Sequence, residues 1–579
     1  MYAEQFIYYG KILTYIRFKN SEMLRTKSLT FLLSIPSIMI ANLSIFARAE
    51  QESNKSYKQS DSKIIKEFDL YAKKAIEELR IPYIMYGLVI DGKIAKTQCI
   101  NNDKIPHKHA KTNTIVPISS VTKNITGALY SILYDKDIIN INTKITNFFD
   151  DLIIANKNLT NDLTVQDLLC MRVGIEGFYG TFFMLCGYPR ETILKTLVYA
   201  KERPNQVHKY FAYQNITYGL LDDIAEAQTG ISYEKLIKKY VFSQMGMYDS
   251  SVENLNNRSN YFGNILFHFK NFSLNSKQYG IIGAVARIFG SFFGLYKPDI
   301  GELYRVTDDN VENLEYSDVF TIFPASSGVS TTISDMTKYL ECITCNKGID
   351  GEQLMSESTY KLMLSDMAEI NEVDTNNFAF NKNRVQKASY GFGTMNLTYK
   401  GDHKIHGHYG GVLGVTSSIW FDPDMKIGVV LICPVGGHNE STLAQKLSYK
   451  FFDLYYGFDD IDWIQKEKDH INMSKTISKF GVINNAFSNQ SNIHEYIGRY
   501  TYNNIINYSV RQVNNDLILL DETRNISFKL KHALYNIFYY NKSDIIPQES
   551  KIPLVCKFHN NNMIFENEKG STITFKKIK

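Results

Sequence analysis

The chain predicts an α/β (α+β) fold: an antiparallel sheet flanked by helices, an all-helical subdomain, and a C-terminal antiparallel β-barrel or sandwich. Three observations carry this prediction. A helix-spaced apolar pattern followed by a tight hairpin opens the sheet near residue 84, and two strand patterns near 414–433 return the chain to it. The stretch between them reads as mostly helical to about residue 250. After about residue 465 the texture changes to about eight short alternating segments separated by Asn-rich turns.

Ile64, Ile65, Phe68, Tyr71, Ala72, Ala75 and Leu79 recur at helical spacing, and Pro82 stops that helix. Strands Ile84–Ile90 and Ile94–Ile100 follow, joined at Asp91-Gly92, whose residue types tolerate the positive φ of a two-residue hairpin. Leu163-Thr-Val-Gln-Asp-Leu-Leu169 reads as a capped helix start, with Thr164 and Asp167 at capping-box spacing. Asn215 to Gln228 is amphipathic and meets a natural C-cap in Gly230. Gly414–Trp420 and Ile427–Cys433 read as antiparallel strands turning at Asp422-Pro423-Asp424. The last segments are Tyr496–Tyr502, Tyr508–Val513, Leu517–Leu520, Ile526–Leu530, Tyr535–Tyr540, Leu554–Phe558, Met563–Phe565 and Thr572–Phe575.

Composition limits the functional classes. With 579 residues, 44% hydrophobic and 21% charged, the chain is globular and long enough for two or more domains. A net charge of +4, dispersed along the chain, gives no basic surface for a nucleic-acid partner. Met23-Leu-Arg-Thr-Lys27, the apolar stretch Leu29–Phe46 and Ala47-Arg-Ala49 form the basic, apolar and small-x-small parts of a secretory signal, with Met23 as an alternative start. An uncleaved membrane anchor is the other reading; either puts the bulk of the protein outside the cytoplasm, in the periplasm or extracellular space. Seven scattered cysteines make no disulfide framework, and Cys342-Ile-Thr-Cys345 lacks a second ligand pair and continues a helical pattern. The apolar stretch around 260–300 carries a single charge over Ile281–Tyr296 and is short for a membrane span. Ordinary core, a lid and an interfacial element that meets lipid all fit it.

Three motifs in order carry the chemistry: Ser120-Val-Thr-Lys123, Tyr213-Gln-Asn215 and His408-Tyr-Gly410. Alone, each is weak, since Ser60/Lys63 and Ser232/Lys235 repeat the first spacing and Tyr502/Asn504 and Tyr539/Asn541 the second. Serine must lose its proton to attack, and a lysine three residues on along a helix lies about 5–6 Å away at Cβ. Desolvation lowers a lysine pKa enough for it to take part in that transfer. A serine at a helix N-terminus gains from the helix dipole, and its own N–H is half of an oxyanion hole. Tyr213 is placed to relay the proton to the leaving group, and Asn215 to hold both Lys123 and a substrate amide. His408 would face Tyr213, while Gly410 and Gly411 leave a bare strand edge whose N–H completes the oxyanion hole.

Taken with their neighbours, these motifs resemble the serine β-lactamase and penicillin-binding-protein superfamily, in the branch holding class C β-lactamases, D,D-carboxypeptidases, D-aminopeptidases and related esterases. Leu163–Leu169 with Gly174-Ile175 resembles the helix and turn after the branch's first motif. Pro324-Ala-Ser-Ser-Gly-Val-Ser330 with Asp335 resembles its GG-x-x-S-x-x-D segment, and Gly407–Gly411 with Phe421-Asp-Pro423 its final strand pair. The match spans roughly 62–455. Met171-Arg172 departs from the usual His-x-Ser-Gly turn, Ser326-Ser327 replaces a Gly pair, and His408 stands in place of lysine.

The resemblance implies a β-lactamase-like transpeptidase fold over 62–465, followed by a lipocalin-like β-domain (466–579); the residue patterns themselves place a signal or anchor (1–49) and a polar linker (50–61) ahead of it. It implies an exported serine hydrolase acting through an acyl-enzyme on Ser120, with Lys123, Tyr213, Asn215 and His408 as its catalytic group. Ser120, Gly410 and Gly411 would form the oxyanion and substrate edge. His408 is more typical of esterases and peptidases than of dedicated β-lactamases, so a D-peptide-type peptidase or an esterase is favoured. A β-lactamase, or a non-hydrolytic penicillin or muropeptide sensor or scaffold, is the alternative. The chemistry requires no metal or organic cofactor, and the partner is a small-molecule or peptide substrate.

Overall fold

A computed structural model describes residues 59–203, 205–252, 255, 285, 298–306, 310–314, 316, 319–371, 380–412, 414–436, 442–458, 460–481, 495–514, 516–534, 537–541, 553–559, 561–566 and 572–578. The signal-like segment, most of the linker and nearly all of the insertion around 260–300 lie outside the described residues. Ile64–Lys579 form one compact unit. Among the described residues no helix is long and apolar enough to cross a membrane.

Helix α1 (Gln59–Glu78) buries Phe68, Ala72, Ala75 and Ile76, one stripe of its surface. Strands β1 (Tyr83–Ile90) and β2 (Lys93–Asn101) form the predicted hairpin, with Asp91 and Gly92 both at positive φ (52° and 71°). After helices α2 (Thr122–Asp135), α3 (Val165–Leu169), α4 (Thr181–Leu185) and α5 (Ile333–Cys345), the chain adds β3 (Ala368–Glu369), β4 (Val385–Tyr390), β5 (Met395–Tyr399), β6 (Lys404–Val412), β7 (Val415–Asp422) and β8 (Ile427–Cys433). These eight strands make one antiparallel sheet in the order β2-β1-β8-β7-β6-β5-β4-β3.

Both faces of the sheet centre are covered, which is why β1, β7 and β8 are buried throughout. Tyr86 packs edge-on against Phe68 of α1 at 5.1 Å. Its neighbour Gly87 faces the other side, where a Cβ would lie 2.0 Å from the Thr337 hydroxyl of α5. The glycine therefore sets how closely α5 can lie on the sheet. Helix α6 (Leu443–Tyr456) joins α1 on the first face through Phe451, 6.0 Å from Phe68. Helix α7 (Trp463–Gly481) follows. Asp453 of α6, fully buried, accepts hydrogen bonds from Arg384 (2.6 Å), Tyr399 (2.8 Å) and Trp463 (2.8 Å), tying the turn before β4, strand β5 and α7 to one carboxylate.

The helical middle differs in detail from the prediction. The helix expected over Asn215–Gln228 is two, Ile216–Gly219 and Leu221–Thr229, because the Leu220 N–H turns to the Thr217 carbonyl three residues back. Gly230 does close the second in the left-handed region, at φ 68°. At the head of α3, the Asp167 carboxylate accepts from both the N–H (2.9 Å) and the hydroxyl (2.6 Å) of Thr164. All seven cysteines are free thiols; Cys342 and Cys345 lie on α5, and burial pushes the Cys342 thiol up to about 12.

The C-terminal segments form a closed antiparallel barrel of eight strands: β9 (Gly498–Tyr502), β10 (Ile506–Val513), β11 (Asp516–Asp521), β12 (Ile526–Leu534), β13 (Ile537–Asn541), β14 (Pro553–His559), β15 (Asn562–Glu566) and β16 (Thr572–Lys577). It closes where Tyr500 and Thr501 pair with Lys577 and Lys576. Buried residues recur at period two (Tyr508/Val510, Leu517/Leu519, Phe528/Leu530, Cys556/Phe558, Met563/Phe565), so the interior is filled by side chains.

Candidate active site

Ser120 lies in a 3₁₀ turn (Ser119–Val121) that runs into α2. The turn is entered through Ser119, buried and in the left-handed region at φ 49°, a conformation that costs a non-glycine residue about 1–2 kcal/mol. Ser120 itself is half-buried, while Val121 to Leu133 are all buried. Ser120 is thus the one residue of this turn that solvent reaches appreciably.

Lys123 is completely buried, and its ammonium nitrogen reaches three oxygens: Ser120 Oγ at 3.1 Å, Asn215 Oδ1 at 2.8 Å and the Ser326 carbonyl at 2.9 Å. All three partners are uncharged, and burial pushes the lysine well below its ordinary value of 10.5. A neutral amine has two N–H donors and one lone pair. The Asn215 and Ser326 oxygens can only accept, so they take the two donors, and the lone pair falls to the Ser120 hydroxyl. In its neutral form, which burial favours, Lys123 would thus turn its lone pair to the Ser120 hydroxyl.

Asn215 sits at the N-cap of the Ile216–Gly219 helix, yet its side chain caps nothing. Its oxygen goes to Lys123 and its amide nitrogen to the Thr181 hydroxyl of α4, at 3.3 Å. The Tyr213 ring lies 5.0 Å from the Lys123 nitrogen. The His408 ring lies 6.2 Å from Tyr213, but its hydrogen bonds go elsewhere. A carbonyl can only accept, so His408 Nδ1 carries the proton it gives to Tyr409 O (2.6 Å), and Nε2 accepts from the Tyr390 hydroxyl (3.1 Å). Burial above all lowers its pKa, to about 3, so the imidazole is uncharged at neutral pH.

The third motif lies inside β6. Toward β7 the strand is paired from His406 to Val412, but toward β5 the pairing stops at Gly407, opposite Met395. From His408 to Val412 that edge has no strand partner among the described residues, and an extended substrate could pair there. A Cβ on Gly410 would meet Ile118 O at 2.7 Å, Ser120 N at 2.8 Å and Ser417 Oγ at 2.8 Å. A Cβ on Gly411 would meet only Val415 O, at 4.0 Å. Gly410 therefore sets the fit of the strand against the serine turn, and Gly411 borders open space.

The structure thus brings Ser120, Lys123, Tyr213, Asn215, His408 and Gly410 to one place, beside Gly411. It also accounts for the departures noted in the sequence. Ser326 contributes its carbonyl, which any residue supplies. Arg172 reaches the buried Asp167 at 2.7 Å and Gln166 at 2.8 Å, locking the turn after α3. Tyr390, Ser417 and Thr181 were not legible as site neighbours. Nothing in their local sequence distinguishes them, because only the tertiary fold brings them near the motifs.

The Beta-lactamase family model matches residues 68–444, and the chain belongs to that family. Among solved structures, the octameric penicillin-binding protein homologue from Pyrococcus abyssi is similar over 88% of this chain and 100% of that one, at 18% identity and a TM-score of 0.51. The D-stereospecific amidohydrolase from Streptomyces sp. is similar over 63% of this chain and 94% of that one, at 14% identity and a TM-score of 0.45. No curated protein matches the chain.

Proposed function

We propose that the protein is a serine hydrolase that forms an acyl-enzyme on Ser120 and releases it to water, acting on D-amino-acid peptides of cell-wall type or on small esters. The observation that carries this reading is the buried, uncharged-partnered Lys123 with its nitrogen 3.1 Å from Ser120 Oγ. In the proposed first step Ser120 Oγ attacks the substrate carbonyl as its proton passes to neutral Lys123. The substrate lies along the open edge of β6, and the N–H groups of Ser120 and Gly411 hold the developing oxyanion. Tyr213 gives its proton to the leaving group as the tetrahedral intermediate collapses and takes one back from Lys123, which returns to its neutral form, and Asn215 keeps Lys123 in register. Water then repeats the sequence on the ester, and Ser120 is regenerated.

The preference for peptide or ester over β-lactam rests on the resemblance, in which a histidine such as the neutral His408 is more typical of esterases and peptidases than of dedicated β-lactamases. Export rests on the Met23–Ala49 pattern. A panel of an N-acyl-D-alanyl-D-alanine, a p-nitrophenyl ester and a chromogenic cephalosporin tests the choice. The peptide or the ester is expected to give the highest kcat/KM. Fastest turnover of the cephalosporin would assign a β-lactamase instead.

A further inference from the structure

All three residues of the second motif are held by one segment. The Glu176 carbonyl accepts from the Gln214 side-chain amide, the Phe178 N–H donates to the Tyr213 carbonyl at 2.7 Å, and the Thr181 hydroxyl accepts from the Asn215 amide nitrogen at 3.3 Å. The fit is close: a Cβ on Gly180 would stand 2.9 Å from the side chain of Ile216, the residue after Asn215. Thr181 lies nearest the chemistry. It holds the nitrogen end of the Asn215 amide, whose oxygen end meets Lys123 at 2.8 Å.

The same segment is gripped by the barrel at both ends of α4. Before the helix, the Tyr179 hydroxyl gives its proton to the Thr196 carbonyl (2.6 Å), so Tyr502 of β9 is the donor in the 2.9 Å contact between the two hydroxyls. After it, the Tyr188 hydroxyl donates to Asp521 of β11, so Tyr508 of β10 donates to Tyr188, at 2.8 Å. Arg524 bonds Asp521 at 2.8 Å, lies 4.2 Å from the Tyr188 ring and reaches the Cys186 carbonyl. Within the helix, the Phe183 ring lies 5.3 Å from that of Tyr502. Asp521 and Tyr188 are completely buried, and breaking the hydrogen bonds of a buried charge is costly. The docking is therefore stiff, and segment 176–188 is a strap between the barrel and the second motif.

We infer that the barrel is a positioning part of the active site: through the strap, with Thr181 as the positioning residue, it holds Asn215 against Lys123. The inference rests on the hydrolase reading above, in which Lys123 takes the Ser120 proton and becomes an ammonium. That ammonium needs the Asn215 oxygen as an acceptor, and the oxygen keeps its place only while the other end of the amide is anchored. Among the described residues Thr181 is that anchor.

The test reads the rate at which a fluorophosphonate acylates Ser120 in the full chain, from acid to alkaline pH. Thr181→Val keeps the shape and removes the acceptor. It is expected to slow the plateau rate about tenfold and to move the acid limb to lower pH, because an ammonium that loses an acceptor gives up its proton more readily. Thr181→Ser should keep both near the wild type. Tyr188→Phe, and Tyr502→Phe at the other clamp, should each slow acylation about threefold or more and move the limb the same way. The titratable groups facing Lys123, namely Tyr213 (5.0 Å to its ring), Tyr218 (5.8 Å) and His408, are the same in every variant. In the Thr181→Val background the barrel substitutions should slow the reaction no further, since the link they act through is already cut. A wild-type rate or an unmoved limb in Thr181→Val overturns the role of Thr181. Barrel substitutions that change neither, or that slow Thr181→Val by their full factor again, overturn that of the barrel; if Tyr188→Phe does not fold, Tyr502→Phe decides alone. A wild type in which Ser120 takes no label overturns the hydrolase reading, and this inference with it, and is recognised by that result alone.

Discussion

Burying Lys123 with only uncharged partners determines how the site responds to pH. The protonated lysine has no lone pair for the Ser120 proton, so the working form is the neutral one, favoured because burial depresses the pKa. The kcat/KM is therefore expected to rise with pH through the lowered lysine pKa and to level off well below 10.5. His408, already neutral above about pH 3, contributes no step to that limb. His408→Gln should lower the rate and leave the position of the acid limb where it is, as a kcat/KM profile from pH 4 to 10 would measure. A limb that moves with His408→Gln would contradict the assignment. The first two motifs were legible as candidates because Ser/Lys and Tyr/Asn spacing is local. The tautomer of His408 was not, since it depends on Tyr390, which only the sheet brings near.

Strand β6 and the serine turn show why one glycine of the third motif matters more than its neighbour. Gly410→Ala places a methyl group within 2.8 Å of the Ser120 nitrogen and must push the turn away from the strand. Acylation by a fluorophosphonate is expected to slow about 100-fold or more, the scale of losing one oxyanion donor. Gly411→Ala meets nothing closer than 4.0 Å, so the protein should fold normally and melt within a few degrees of the wild type. Equal effects of the two substitutions on acylation would contradict this packing. Both glycines looked alike in the sequence; only the approach of Ile118 and Ser417 separates them. Strands β4 and β5 escaped the sequence reading for a related reason. Val385–Tyr390 has two exposed residues, Gln386 and Lys387, side by side, and a register shift there breaks the alternation that marks a strand. By contrast Asp91-Gly92 announced its hairpin, because the turn's demand for positive φ is met by residue type alone.

At the scale of the molecule, a two-faced sheet fixes the serine turn and the open strand edge relative to each other, while the barrel grips the strap beside Tyr213. The eight barrel strands were legible because their buried residues alternate and their turns are polar, so period two survives even in short segments. Their docking against Tyr179, Phe183 and Tyr188 was not, since aromatic residues of a barrel and of a distant segment carry no mark of each other in sequence. All of these parts have a common purpose only if Ser120 becomes acylated. Intact-mass measurement of the full chain with a fluorophosphonate, and separately over time with an activated ester, tests this most directly. The account predicts one phosphonyl adduct per chain, absent from Ser120→Ala, and an acyl adduct that forms and then decays as water releases it. No adduct on the wild type, or the same adduct on Ser120→Ala, would contradict it.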